Sequence, residues 1–317
     1  MKRLFSWIIA IATVATMSGC SSNLSPATEF SSTQAPTPDI TQLEPTTAAL
    51  SNSIYPKQAV DGEGRVCAKY SYDFSNKTLT INGSGVSSDG FGLLPLLALN
   101  KINNPLLLTS CADPSFQDST IAFSYSKPII FATSELILTN TINKVIIDDS
   151  GEFYSNHEEY DFHVDNHQLK VCNSEINETY IYSDGSTSDN DSSYTYQYTY
   201  NQNGELISYD ETTIEYNPDG TISAVIRPYI ELDNPPIYNR FSFYYSDNRI
   251  DHAILNSDYI DFLFSYSYNE QGNLSRFGDD RDGFFTLFSY NNNGYLETIS
   301  VMNTYDNQTD DLIHFDY

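Results

Sequence analysis

A short motif recurs through the C-terminal part of the chain, and it constrains the fold more than any other feature. An alternating run of aromatic residues leads into Tyr-Asn-x-x-Gly-x-Leu or a close variant. Copies occur at Tyr198–Leu206, Ile214–Ile222, Tyr266–Leu274 and Phe288–Leu296, with a degenerate copy at Tyr244–Ile250. A repeated local motif predicts a repeated local structure.

The polar centre of the motif predicts a tight turn. Asn217–Gly220 reads Asn-Pro-Asp-Gly, which fits a type I turn followed by a glycine that adopts positive φ. Such a glycine closes a hairpin through a bulge. In the degenerate copy Asn248 replaces the glycine, and asparagine tolerates positive φ better than most residues.

The residues that enter each turn alternate with a period of two, which predicts strands. Tyr194, Tyr196, Tyr198 and Tyr200 fall on one face, with polar residues between them. The turns are 16, 28, 24 and 22 residues apart, a spacing that favours hairpins of different length over a helical solenoid. The tyrosines are expected to pack in a core; the alternative is an exposed face that binds sugars or protein.

Y-x-Y-N-x-x-G-x-L resembles the YD repeats of bacterial Rhs-type proteins, which form extended antiparallel sheets and shells. The resemblance covers about the last third of the chain. The arginine that usually precedes the first tyrosine occurs only at Arg240, and the Asp-Pro-Gly that often closes a YD unit is missing. The resemblance implies an all-β fold built as an antiparallel sheet of repeated hairpins. It implies nothing of the Rhs activity.

Residues 1–19 have the pattern of a targeting segment: a basic start, an apolar core and small residues before Cys20. Met17–Cys20 resembles the lipobox of bacterial lipoproteins. The resemblance implies cleavage before Cys20, lipid on its sulfur and new amino group, and, with Ser21-Ser22 following, passage to the outer membrane. The alternative is an ordinary cleaved signal with an incidental cysteine.

Three segments are expected after the signal. Residues 20–58 are rich in Ser, Thr and Pro and predict a flexible tether. Residues 59–175 predict a β-rich module with one short apolar helix at Phe91–Leu108, and strand-like runs that include Ile129–Ala132 and Glu135–Leu138. Residues 176–317 form the Tyr-rich hairpin module.

The net charge limits the classes of partner that the chain can bind, and the cysteines bear on the redox environment. The net charge of −27 argues against nucleic-acid binding through phosphate neutralisation. Besides Cys20 the chain has Cys67, Cys111 and Cys172, so one pair is expected to be bridged in an oxidising compartment. We favour Cys67 with Cys111 because both lie in the first module, although spacing does not fix the pairing.

Metal-ligating residues are densest between positions 157 and 167. The candidates are His157, Asp161, His163, Asp165 and His167, whose imidazoles and carboxylates suit a transition metal. The spacing is not that of a metalloprotease. We favour the polar face of a hairpin there, and expect no metal or other cofactor.

Two acidic segments, Asp184–Asp191 and Asp279–Gly283, are interpreted as solvated loops. Calcium binding is the alternative, but neither matches an EF-hand loop.

No catalytic motif stands out, since the chain lacks GxSxG and phosphate-binding glycine loops. We therefore expect a lipid-anchored envelope protein of the outer membrane that binds or scaffolds, with an envelope protein or a glycan as partner. The competing hypothesis is a secreted, glycan-directed hydrolase that uses acidic residues on a β scaffold.

Overall fold

The computed structural model describes residues 55–83, 127–229, 237–256, 261–279, 283–305 and 308–317. They belong to one compact unit, Leu50–Tyr317. The predicted signal segment, most of the predicted tether and the predicted helix Phe91–Leu108 lie outside the described residues. No helix within the described ranges is long and apolar enough to cross a bilayer.

The described residues are mostly β-strands, as the alternation predicted. The strands are β1 Gln58–Asp61, β2 Val66–Asp73, β3 Thr78–Gly83, β4 Lys144–Ser150, β5 Tyr154–Asp165, β6 Gln168–Ile181, β7 Thr187–Tyr200, β8 Leu206–Tyr209, β9 Thr212–Tyr216, β10 Ile222–Tyr229, β11 Ile237–Ser246, β12 Arg249–Asn256, β13 Asp261–Tyr268, β14 Leu274–Asp279, β15 Phe284–Tyr290, β16 Leu296–Asn303 and β17 Gln308–Asp316.

The strands form one 17-stranded sheet in chain order, and the sheet closes on itself because β17 pairs with β1. Ala59 lies opposite Phe315 at this seam. The prediction of an open, YD-repeat-like sheet of hairpins is therefore wrong, and the fold is a closed all-β barrel. The repeat specifies each hairpin locally, whereas closure depends on contacts between strands about 250 residues apart, which no local pattern encodes.

All neighbouring strands are antiparallel except β3 and β4, which run parallel. A parallel pair needs a long crossover, and here it ends in helical structure. Residues 127–133 are α-helical, and a short helix α1 follows at Glu135–Leu138. The predicted strands Ile129–Ala132 and Glu135–Leu138 are therefore wrong. Short apolar runs do not distinguish a strand from a buried helix.

The helical segment 127–133 lies inside the barrel. Ile129, Ile130 and Phe131 are consecutive and all fully buried, so the segment is covered on every side. The Phe131 ring lies 4.8 Å from the rings of Tyr160 and of Phe162, both on the inner face of β5. Side chains and helix thus occupy the barrel interior beside β5.

The module boundary predicted near residue 175 falls inside β6, and strands from both sides of it belong to the same sheet. Along the strands, buried apolar side chains alternate with exposed polar ones. In β12, for example, Ile250, Ala253 and Leu255 are buried, while Arg249 and Asp251 are exposed. The apolar face points into the barrel.

The predicted turn chemistry is confirmed. Gly204 has φ +83°, its N–H donates to the Asn201 carbonyl at 3.1 Å, and a bulge precedes Tyr200. Asn201 also accepts the N–H groups of Asn203 and Glu205 on its side-chain oxygen. These two hydrogen bonds explain why asparagine occupies the first position of the turn.

The degenerate copy uses a different turn. Asp247 and Asn248 both have positive φ, 51° and 62°, which is the type I′ pattern of a two-residue hairpin. The predicted tolerance of Asn248 for positive φ is confirmed.

The motif tyrosines link each hairpin to the preceding one. The hydroxyl of Tyr216 donates to the Leu206 carbonyl at 2.8 Å, where Leu206 is the last residue of the preceding motif. The same relation recurs around the barrel: Tyr245 donates to Ile222, Tyr290 to Leu274 and Tyr317 to Leu296, each at 2.7 Å. Tyr268 bonds Ile250 in the same way. These hydroxyls form a continuous ladder at one end of the barrel.

Candidate functional site

A hairpin of β6 and β7 extends beyond its neighbour β8, and we call its residues 175–193 the arm. β8 pairs with β7 only at Tyr198–Tyr200, whereas β6 pairs with β7 as far as Ile181 and Thr187. Residues 187–191 of β7 have exposed side chains on both faces. On the other side β5 pairs with β6 along the arm as far as Tyr180, so the arm continues the sheet there, and its β7 edge extends past β8.

The arm and the residues beside it expose large apolar side chains. Five of the nine exposed large hydrophobic residues in the described part of the chain lie here: Phe153, Tyr180, Ile181, Tyr182 and Tyr194. Phe153 and Ile181 are neighbours, since the Ile181 N–H donates to the Phe153 carbonyl at 2.7 Å. A concentration of exposed apolar side chains on a protein surface marks an interaction site.

Polar groups lie between these rings. The Glu178 carboxylate accepts hydrogen bonds from Asn190 at 3.0 Å and from the Tyr180 hydroxyl at 3.3 Å. Burial is the first cause that raises the pKa of Tyr180, and the Glu178 charge adds to it. The Tyr194 and Tyr196 rings stack at 6.2 Å. Aromatic rings with adjacent amides and carboxylates can contact protein or sugar surfaces.

The outer face of β4 and β5 carries a charged network. His157 contacts the carboxylates of Asp148 at 2.5 Å through Nδ1 and of Glu159 at 3.4 Å through Nε2. Lys144 also pairs with Glu159. The hydrogen bond to Asp148 is the main cause that raises the pKa of His157, and the bond to Lys144 is the main cause that lowers the pKa of Glu159.

The inner face of β5 carries a buried ion pair. Lys127, at the start of the helical segment, donates to Glu158 at 2.6 Å, and both side chains are buried. Asn156 at 2.6 Å and the Tyr160 hydroxyl at 2.5 Å donate to the same carboxylate. Burial by itself would raise the pKa of Glu158, but Lys127 and these donors outweigh it, and the pKa is lowered. The pair positions the helical segment against β5.

The five predicted metal-ligand candidates are placed apart. His157, Asp161, His163 and Asp165 share the outer face of β5, and His157 is six positions from His163, about 20 Å along a strand. His167 lies in the β5–β6 turn with φ 60°. Among the described residues, no group of three or more His, Cys, Asp or Glu side chains is arranged to hold a metal ion.

The cysteines and the acidic segments divide between described and undescribed parts of the chain. Cys20 and Cys111 lie outside the described residues, so lipidation and the Cys67–Cys111 bridge stay predictions. Cys67 is half-buried, and burial is the first cause that raises its pKa. Cys172 is fully buried in the core, where desolvation raises its pKa. The predicted acidic loop Asp184–Asp191 is wrong in its second half, because Thr187 already begins β7.

The described carboxyl groups lack the raised pKa of a hydrolase's general acid wherever a shift is clear. A general acid at neutral pH requires a raised carboxyl pKa. Every described carboxyl group whose pKa clearly departs from its ordinary value has it lowered: Asp61, Asp73, Glu158, Glu159, Asp184, Glu215 and Asp219.

Sequence reasoning missed the arm and the Lys127–Glu158 pair. The arm had a signal, since residues 186–193 are polar at every position, which is unusual for a strand that packs on a core. The ion pair had no signal in the sequence, because Lys127 directly precedes a run that was interpreted as a strand.

Comparisons with known proteins do not identify a family. No protein-family model matches the chain, and no curated protein matches it. Among solved structures, a porin-like protein from Bacteroides uniformis aligns at 10% identity over 55% of this chain and 95% of that one, with a TM-score of 0.17. A TM-score this low does not establish a shared fold, so the alignment carries no argument about function.

Proposed function

We propose that this protein is a binding module of the bacterial cell envelope, held at the outer membrane by lipid on Cys20. The arm is the element that contacts the partner. The observation that carries the proposal is the concentration of Phe153, Tyr180, Ile181 and Tyr182 at the exposed end of a rigid barrel. Binding surfaces on loops and projections of rigid scaffolds are common because the scaffold limits the entropy lost on binding.

Lipid anchoring follows from the lipobox resemblance at Met17–Cys20 and from the Ser/Thr/Pro-rich stretch after it. Several acyl chains hold a protein on a bilayer, where a single chain does not. A flexible stalk then lets a compact module reach partners away from the bilayer surface.

The anchoring part is tested by Cys20→Ala in the full chain. We expect the variant to leave the membrane fraction and to lose incorporation of a labelled fatty acid. A variant that still incorporates label and stays with the membrane would contradict anchoring through Cys20.

The arm is tested by site-specific photo-crosslinking in intact cells. A photoreactive phenylalanine analogue replaces Tyr182 in one variant and Tyr305, which is also exposed, in the control. We expect a discrete crosslinked species from position 182 that is absent from position 305. Identical patterns from both positions, or none from position 182, would contradict the role of the arm.

The same crosslinks separate the two partner classes. A partner protein gives a species whose tryptic fragments include peptides of a second protein. A glycan gives a species that glycosidase treatment shifts and whose tryptic fragments come from this chain alone.

A further inference from the structure

Among the described residues, one edge of β7 has no neighbouring strand over ten residues. β6 pairs with one side of β7 from Thr187 to Gln197. On the other side, the pairing of β7 with β8 begins only at Tyr198, and no strand in the described part of the chain pairs with Thr187–Tyr196. The side chains of Thr187–Asp191 and Ser193–Thr195 are exposed, so this edge meets solvent.

The pairing register identifies the backbone groups at this edge. The Tyr182 N–H donates to the Ser186 carbonyl where the hairpin closes, and an antiparallel strand bonds to its two neighbours by alternate residues. The Gln197 carbonyl accepts from Asp210 on the β8 side, which fits the same alternation. The residues whose N–H and C=O groups point to the free edge are therefore Thr187, Asp189, Asp191, Ser193 and Thr195.

The side chains of these edge residues are acidic or hydroxylic. Asp189 and Asp191 point to the outer face of the arm, and Ser193 lies opposite Glu175 of β6. No lysine, arginine or proline lies between Thr187 and Tyr196. Long edges usually carry such residues, or a bulge, to prevent strand addition. Here the backbone groups remain open and the local charge is negative.

Resting on the binding role proposed above, we propose that the β7 edge accepts an extended segment of a partner protein as an added antiparallel strand. The segment carries lysine or arginine at alternate positions. Backbone hydrogen bonds to the five edge residues supply the pairing, and cations opposite Asp189 and Asp191 set the register.

A second copy of this chain fits the edge poorly. A two-fold pairing centred on Asp191 places it opposite the Asp191 of the other copy, and the adjacent register still brings two acidic edges together. Like charges directly opposite on paired strands are destabilising. Charge complementarity therefore favours a basic partner.

The test uses the detergent-solubilised full-length protein and three synthetic ten-residue peptides, measured by fluorescence anisotropy at about 0.15 M salt. One peptide alternates Lys and Thr, one alternates Glu and Thr, and one alternates Thr with lysine methylated on its backbone nitrogen. The methylated peptide keeps the charge but lacks the N–H groups of the residues opposite Asp189 and Asp191, which the pairing needs. We expect binding of the Lys-Thr peptide alone.

Two substitutions separate the backbone from the side chain. Ser193→Pro removes one edge N–H and leaves the bonds to β6, so it should weaken binding about tenfold. Ser193→Ala keeps that N–H and should bind as the wild type does. The double change Asp189→Asn and Asp191→Asn should weaken binding and reduce its dependence on salt. Unchanged circular dichroism would show that each variant is folded.

Three results would overturn the inference. The backbone-methylated peptide would bind as well as the Lys-Thr peptide, Ser193→Pro would bind like Ser193→Ala, or sedimentation would show a wild-type dimer that Ser193→Pro converts to a monomer. None of these outcomes touches the crosslinking result at Tyr182, so failure of the edge is distinguishable from failure of the arm.

Discussion

The tyrosine hydroxyls explain at the level of single residues why the motif keeps tyrosine where phenylalanine would fill the same space. Each ring packs at the end of a strand, and each hydroxyl satisfies a carbonyl of the preceding hairpin. Burial raises the pKa of Tyr216 and of Tyr245 to about 12, so these hydroxyls stay protonated donors at every physiological pH. The sequence showed the repeated tyrosine but not its acceptor, which lies one hairpin away.

Tyr290→Phe tests this ladder. The change removes the hydroxyl that donates to the Leu274 carbonyl at 2.7 Å and should lower the free energy of unfolding by about 0.5–1.5 kcal/mol. Urea unfolding of Tyr182→Phe, at an exposed position, is the control and should match the wild type. Equal midpoints for the two variants would argue against the ladder.

His157 provides a prediction about pH. Its pKa is raised in the folded state, so protonated His157 stabilises the fold below its ordinary pKa, and the contribution disappears as pH rises through the folded-state pKa. His157→Gln should therefore lower stability at pH 5.5, by less than about 1 kcal/mol for a partly exposed pair, and leave it unchanged at pH 8.5. The measurement is urea unfolding at both pH values. A loss of equal size at both would show that packing, and not charge, is responsible.

At the scale of elements, the helical segment 127–133 shows where sequence periodicity fails. Its central residues, 129–132, are apolar on every side because the barrel surrounds them, so neither a period of two nor one of 3.6 is visible. The hairpins behaved differently. Turn residues such as Asn201 and Gly204 act on their own backbone, so their conformation could be predicted without tertiary structure.

The Lys127–Glu158 pair is a buried polar contact that fixes this segment. Glu158→Gln leaves Lys127 buried without a counter-charge and should destabilise the protein by about 3–5 kcal/mol. The double variant, which also carries Lys127→Met, lacks the unpaired buried cation and should recover most of the lost stability. Thermal unfolding of the two variants measures the difference, and a double variant no more stable than the single one would contradict this role for the pair.

The Lys127–Glu158 pair also makes the free energy of unfolding depend on pH in the acidic range. Because the folded pKa of Glu158 is lowered, its contribution is present above the unfolded pKa and is lost as pH falls through the folded one. The Glu158→Gln variant should lack this part of the acid-induced loss.

At the scale of the whole molecule, closure through β1 and β17 is the property that defines the barrel. It pairs residues from the two ends of the folded unit, Gln58 with Asp316, and leaves no edge there. Opening the seam would expose two edges and much of the apolar interior at once.

Removing residues 308–317 tests closure. The truncated chain should lose its cooperative thermal transition and aggregate, because β1 and β16 would both become edges. The matched control replaces residues 178–190 of the arm by Asn-Gly, which shortens an exposed hairpin and should keep the transition within a few degrees. A cooperative transition in the truncated chain would show that the seam is dispensable.

The sequence by itself determined the alternating strands of the hairpins, their turns and the Asn-to-Gly chemistry, because alternation and turn conformation act within a few residues. It also carried the lipobox resemblance at Cys20. Only the tertiary structure decided that the hairpins close into a barrel and that residues 127–133 are helical inside it. The same holds for the ion pair between Lys127 and Glu158 and for the extension of β7 beyond β8. Each of these depends on residues far apart in the chain, and the free energy that decides them comes from burial and pairing across the barrel, which a local pattern does not record.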